Sequence, residues 1–444
     1  MNNFLDLATS LHTKSLTLFV GTGFSKYLTN GKAPSWLELL VESTKAIDKD
    51  DKLLKQLFNI DSSGDVKEAI YELTICAQVL EIEYKKNKKD IKVKIAEIIK
   101  EKINETTIDN DKLLELQTFF KHHPDINIIT TNYDTIFSDY IVPNTSRVII
   151  EGSTIPRINT GQNIYHIHGC VIKPESIILT LNDYYNFQNT NNYFSRKFYT
   201  LLQENTVAIL GYSLGDFNLN TILSEVKNSK KESFRKTDIY YINKGIIPEL
   251  MTKFYSLTYG ISVIQNKQIN QFFDSIEIEY EKAKELIDSV ESLKDVINGT
   301  KVYDDDFLKL RISLPTILVQ AASIGIESND ELFLKTLILI LNKKSEFTSS
   351  NNAWLQYEHL ADWLIEVAST VVVKNTIIEN EFCEIAKHSF KKSSKRLYKG
   401  YSWYAWKEWN TRWHEMKIEN QIMLQELIEN NRWDNELQIT EIYK

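Results

Sequence analysis

The stretch Leu16-Thr17-Leu18-Phe19-Val20-Gly21-Thr22-Gly23-Phe24-Ser25-Lys26 constrains this chain more than any other. Its first five residues, large apolar or β-branched, read as a strand buried on both faces, as in the middle of a parallel sheet. Two glycines follow at once, letting the backbone turn sharply and bring bare N–H groups close to a ligand. A helix beginning near Ser25 would aim the positive end of its dipole at a phosphate. Such an arrangement opens a nucleotide site. An ordinary tight turn between strand and helix uses the same glycines, so this stretch alone leaves both readings open.

The size of the chain, 444 residues, is large for one core and predicts two domains. A hydrophobic content of 43% with 25% charged residues is that of a globular protein. The net charge of -8 argues against a nucleic-acid-binding surface as its main business. Cys76, Cys170 and Cys383 are isolated, with no C-x-x-C pair, so neither a zinc ribbon nor a disulfide framework is expected, and no metal. Met1-Asn2-Asn3-Phe4 lacks a basic leader, and no run reaches the ~18 apolar residues of a membrane span. The expected location is the cytoplasm, with no membrane partner.

Pro34-Ser35-Trp36-Leu37-Glu38 is a helix start in which Ser35 and Glu38 form a capping box. From there to about residue 120 the apolar period is helical: Trp36, Leu37, Leu40 and Val41; Ala69, Leu73, Ala77 and Leu80; Ile91, Ile95, Ile98 and Ile99. Strand signals then recur at 126–131, 147–150, 164–168, 177–180, 207–211, 239–242 and 261–264, with helical stretches at 193–204 and 219–226. This alternation predicts an α/β domain over 1–285, a Rossmann-like, doubly wound parallel sheet with a helical insertion at about 35–120. Beyond 265 the strand signals stop, and Gly299-Thr300 with Asp304-Asp305-Asp306 marks a boundary. An all-α region over 300–444 follows, with helices expected at 307–322, 331–342, 354–373, 377–390, 401–417 and 421–430. Seven of the eight tryptophans lie there, and Trp403, Trp406 and Trp413, with Trp409 nearby, recur at helical spacing. They read as packed core or a dimer face rather than a ligand box.

Four more segments join the glycine turn. Thr130-Thr131-Asn132-Tyr133-Asp134 puts polar side chains just past a strand. His166-Ile167-His168-Gly169 ends another, with both histidines expected on one strand face. Gly211-Tyr212-Ser213-Leu214-Gly215-Asp216 and Asn243 follow two more. In an open α/β sheet ligands bind beyond the carboxyl ends of the strands, so these turns would face one crevice.

Taken together, Gly21-Thr22-Gly23-Phe24-Ser25, Thr131-Asn132-Tyr133-Asp134, His168-Gly169, Gly211-Tyr212-Ser213 and Asn243 resemble the ordered motifs of the sirtuin family over roughly residues 1–280. The resemblance implies that Gly21, Gly23, Phe24 and Ser25 hold the pyrophosphate of NAD. It puts Thr131, Asn132 and Asp134 near the nicotinamide and its ribose, and makes His168 the catalytic histidine. Gly211, Ser213 and Asn243 would meet the phosphate and adenosine side. Deacylating sirtuins carry I-P-D-F-R after the glycine loop and a four-cysteine zinc module, and neither is present here. The chain is more similar to the Sir2-like domains of bacterial antiphage defence proteins, which hydrolyse NAD to ADP-ribose and nicotinamide.

The residue chemistry suits that reaction. Breaking the nicotinamide–ribose bond develops positive charge on the ribose while a neutral pyridine leaves. Asn132 has donors and acceptors with which to orient a ribose hydroxyl or a water. His168, an imidazole mostly neutral near pH 7, can act as general base. Asp134 either supplies negative charge or caps the next helix. His166 reads as structural, and His122-His123 as a loop. The expected enzyme is therefore an NAD glycohydrolase with NAD as substrate, its helical region serving regulation, oligomerisation or a partner defence subunit. A non-catalytic sensor or scaffold that binds NAD or ADP-ribose is the alternative, and a protein deacylase the third reading.

Overall fold

The computed structural model describes all residues except 1–2, 49, 144, 154–160, 190–192, 216, 230–237, 289, 351–352, 398–399 and 432–444. By their contacts these residues form two compact units, one of 10–229 and 237–280, the other built mainly on 281–444.

In the first unit the strands, in chain order, are β1 (Leu16–Val20), β2 (Phe58–Ile60), β3 (Val66–Ala69), β4 (Asn127–Thr130), β5 (Ser146–Ile149), β6 (Gln162–His166), β7 (Thr206–Leu210), β8 (Ile239–Ile242) and β9 (Ile261–Ile264). Among the described residues seven of them form one parallel sheet in the order β5-β6-β4-β1-β7-β8-β9. This is the expected Rossmann-like α/β architecture. β1 and β7 are buried at every position, which explains why apolar and β-branched residues fill them. Strand order reverses at β1: the chain leaves it for β4 on one side and later returns to β7 on the other. Such a switch point leaves a crevice above the carboxyl ends of the neighbouring strands.

Three local expectations fail for physical reasons. Residues 177–180 are β-rich in composition but form no strand; the Leu179 and Thr180 amides donate to Asp183 Oδ2 at 3.0 and 2.9 Å instead, capping the helix Leu181–Asn189. The insertion is not wholly helical: β2 and β3 pair antiparallel, and Ala69, counted in a helical period, closes that hairpin. The helix after the glycine turn is Thr22–Leu28, starting three residues before Ser25, with Gly21 as its N-cap. The Ser35–Glu38 capping box forms as read.

The second unit packs helices Ser313–Ser323, Glu331–Phe347, Trp354–Thr370, Glu379–Lys391, Trp403–Arg412 and Ile418–Asn430 around one core. The helix Trp354–Thr370 is buried without interruption from Leu360 to Thr370, which marks it as the central element. Trp363 and Trp409 are fully buried, and their indole N–H groups donate to the Arg311 carbonyl (2.8 Å) and to Ser389 Oγ (3.0 Å).

Candidate functional site

The glycine turn and the Gly211 turn meet at the switch point. The Gly21 amide donates to the Leu210 carbonyl at 3.0 Å, and the Gly23 amide to the Gly211 carbonyl at 2.7 Å. A Cβ on Gly23 would sit 2.8 Å from the Gly211 Cα, and one on Gly21 would sit 2.7 Å from the Gly211 oxygen. Gly211 itself has φ +62. Backbone against backbone is the reason for glycine at all three positions. The amides expected to be bare are engaged here, since the Phe24 amide also donates to the Gly21 carbonyl at 2.9 Å. Phe24 is a core residue, 1% exposed and stacked on Phe137 at 4.8 Å.

Asn132 stands just past β4, seated by two backbone contacts. Its amide N–H donates to Thr130 Oγ1 at 2.9 Å, and its carbonyl accepts from His166 Nδ1 at 3.0 Å. Its side chain is oriented as well: Nδ2 donates to Ser25 Oγ (2.9 Å), and Oδ1 accepts from Thr22 Oγ1 (3.4 Å). Ser25 Oγ donates onward to Asp134 Oδ2 at 2.7 Å, while the Ile136 amide donates to Oδ1 at 3.1 Å. Burial drives the Asp134 carboxyl above its ordinary range, against the hydrogen bonds from Ser25 and Ile136. Asp134 holds the turn before the π-helical segment Phe137–Ile141 and is linked to Asn132 through Ser25. Burial also lowers His166 to about 4, so it stays neutral and acts as a fixed donor.

His168 lies in the turn after β6, which ends at His166, so the two histidines do not share a strand face. Gly169, at φ +84, completes that turn. The His168 ring is 5% exposed and sits edge-on to Tyr184 and Phe187, with centroids 5.5 and 6.0 Å away. Tyr184 in turn stacks on Trp36 at 5.9 Å. At the other end, the Asn243 amide donates to the Ile264 carbonyl at 2.9 Å, and Asn243 Nδ2 donates to the Gly245 carbonyl at 3.0 Å.

One cleft of about 1020 Å³ runs over these strand ends. Of the residues singled out from sequence, Gly23, Thr131, Asn132, Asp134, His168, Gly211, Ser213 and Asn243 line it. Gly21, Phe24 and Ser25 stand behind the wall, and Asp216 lies outside the described residues. Lining residues that the sequence reading missed include Thr22, Trp36, Tyr184, Tyr212, Lys244 and Lys267. Thr22, inside the glycine turn, and Lys244, beside Asn243, were within reach of it; Tyr184 had no local signal. The cleft borders several strand ends, is large for a small-molecule pocket, and carries amide, hydroxyl and imidazole groups. Trp36 Nε1 adds a buried donor with no hydrogen-bond partner.

Residues 126–264 match the SIR2-like domain. Over 139 residues the chain is 28% identical to "Defense-associated sirtuin 2" of Bacillus subtilis, a match covering 27% of this chain and 14% of that protein. The chain therefore spans only a small part of the curated relative it matches. The matched segment holds β4 to β9, while the glycine strand β1 comes from outside it and sits between β4 and β7. Residues 126–264, which carry β4 to β9 of the α/β unit, are thus similar to a SIR2-like domain.

Proposed function

We propose that this protein hydrolyses NAD to ADP-ribose and nicotinamide in this cleft. The observation that carries the reading is the convergence of Asn132 and His168 on one cleft floored by the Gly23–Gly211 contact. The C1′–N bond breaks and its electron pair leaves with nicotinamide. Asn132, held by Ser25 and Thr22, orients a ribose hydroxyl or the water. His168 accepts the proton as water oxygen bonds to C1′, and passes it to solvent. Preorganisation by fixed dipoles supplies the rate, since nothing need reorganise as charge develops.

The likeness to a defence-associated sirtuin supports a role in defence; in this reading the protein is an antiphage effector that depletes NAD on activation, with NAD as its substrate and no metal. Uncontrolled NAD loss is lethal, so the helical region would govern activity, through self-assembly or a partner subunit. Following NAD and nicotinamide by chromatography with the purified full chain tests the enzyme. Nicotinamide release that vanishes in Asn132→Ala and His168→Ala supports it, whereas NAD left intact although it binds favours the sensor reading.

A further inference from the structure

The two ends of the cleft differ in charge. Around Asn132 and His168 the charged lining residues are Lys26, whose ammonium is paired with Glu38 at 3.0 Å, and Asp134, whose carboxylate is turned to Ser25 and the Ile136 amide. At the far end, beyond β8 and β9, the described lining residues include Lys244 and Lys267 and no carboxylate. In a dinucleotide site specific for the unphosphorylated ribose, an acidic side chain takes the ribose hydroxyls and repels a 2′-phosphate; a cation there accepts one.

The far end is assembled by backbone hydrogen bonds. The Lys267 amide donates to the Asn243 carbonyl at 3.1 Å, and the Asn266 amide to the Gly245 carbonyl at 3.3 Å. With the bond from the Asn243 amide to Ile264, these contacts join the turn after β8 to the turn after β9, so Lys244 and Lys267 stand on adjoining turns. Asn266, at φ +55, gives the second turn its sharp bend. The Lys267 ammonium donates to Ser275 Oγ at 3.1 Å, which steadies its stem on the helix Ile269–Asp288. Lys244 is exposed and pays little desolvation when it meets an anion.

We propose that this Lys244–Lys267 end of the cleft binds a phosphate on the adenosine ribose, so that the protein takes a 2′-phosphorylated dinucleotide, NADP, as well as NAD. The inference rests on the hydrolase reading for its turnover, but its binding part stands separately. The reaction is unchanged at the other end: the C1′–N bond breaks, nicotinamide leaves with the electron pair, and water adds to C1′. Its proton is released, giving 2′-phospho-ADP-ribose. Lys244 and Lys267 act as specificity residues, remote from the reacting atoms.

Calorimetric titration of the full chain with adenosine 2′,5′-bisphosphate and with 5′-AMP tests the site without catalysis. The bisphosphate is expected to bind at least about tenfold more tightly at low salt, as one charge-assisted contact implies. That margin should shrink as salt rises. Lys244→Ala narrows the margin, and Lys244→Glu, which supplies a carboxylate for the ribose, inverts it; Lys267→Ala acts in the same direction. Equal binding of the two probes, or a margin that survives Lys244→Glu with an unchanged melting temperature, overturns the proposal. The ratio of NADP to NAD turnover is the second readout. NAD cleaved with NADP untouched sinks this inference alone, while a retained 2′-phosphate preference without cleavage of either dinucleotide sinks the hydrolase reading alone.

Discussion

Buried polar groups are used differently in the two units. In the helical unit Arg311 contacts Glu358, Asp362 and Glu408, and Arg412 contacts Asp362, Glu366, Glu408 and Glu415. Charge is met by charge, and the network ties the helices Trp354–Thr370 and Trp403–Arg412 together. In the α/β unit Thr22, Asn132 and His168 line an open cleft, the Asn132 side chain held by Ser25 and Thr22 and the His168 ring by aromatic packing. Opposite charges locked on one another hold a scaffold in place. Neutral groups braced from one side and open on the other are poised for a ligand.

Breaking each arrangement should therefore have a different signature. Asn132→Ala and His168→Ala are expected to lower nicotinamide release by about a hundredfold to ten-thousandfold, with melting temperatures close to the parent's. Arg412→Met should do the reverse. It leaves Glu366, 3% exposed, without its cation and Asp362, 9% exposed, with Arg311 alone, and should cost about 3–5 kcal/mol of stability in denaturant titration. A loss of stability at Asn132 with activity retained per folded molecule would erase the contrast. Gly23→Ala falls between these, costing about 1–3 kcal/mol by overpacking against Gly211 and weakening NAD binding in the same titration.

A pH profile extends the comparison to two buried bases, one in each unit. Burial lowers His166 to about 4 and Lys344 to about 7. Lys344 Nζ donates to the Leu308 and Lys309 carbonyls at 2.9 and 3.0 Å. Each base binds its proton more weakly folded than unfolded, so stability falls as pH drops from the unfolded value to the folded one. The α/β unit should lose stability from pH about 6.5 down to 4, and the helical unit from about 10.5 down to 7, by up to about 1.4 kcal/mol per pH unit. Lys344→Met should flatten the alkaline slope and leave the acidic one. A profile unchanged by that substitution would show that Lys344 titrates alike in both states.

The sheet was the most legible part of the molecule. Buried parallel strands such as β1 and β7 are built of apolar and β-branched residues, and β8 and β9 fall where the pattern puts them. Short apolar runs mislead where capping competes with pairing: Asp183 takes the amides of 179–180 that a strand would have used. At the site, residue type pointed to Asn132 and His168, but not to how the glycines work. Gly21 and Gly23 face the Gly211 backbone, a contact between residues nearly 190 apart in sequence that no local pattern encodes. Phe24 and Ser25 shared the motif yet point inward, because the helix begins at Thr22 and turns them toward the core. Tyr184 and Trp36 meet beside His168 only after the insertion folds over the strand ends.

The most direct test of the central claim is a time course of nicotinamide and ADP-ribose production from NAD by the full-length protein in ¹⁸O-labelled water, run beside Asn132→Ala and His168→Ala. The account predicts equimolar products, one labelled oxygen on the ribose anomeric carbon, and loss of both products in each variant. Cleavage that persists in both folded variants, or NAD that binds in the cleft and remains whole, would contradict it.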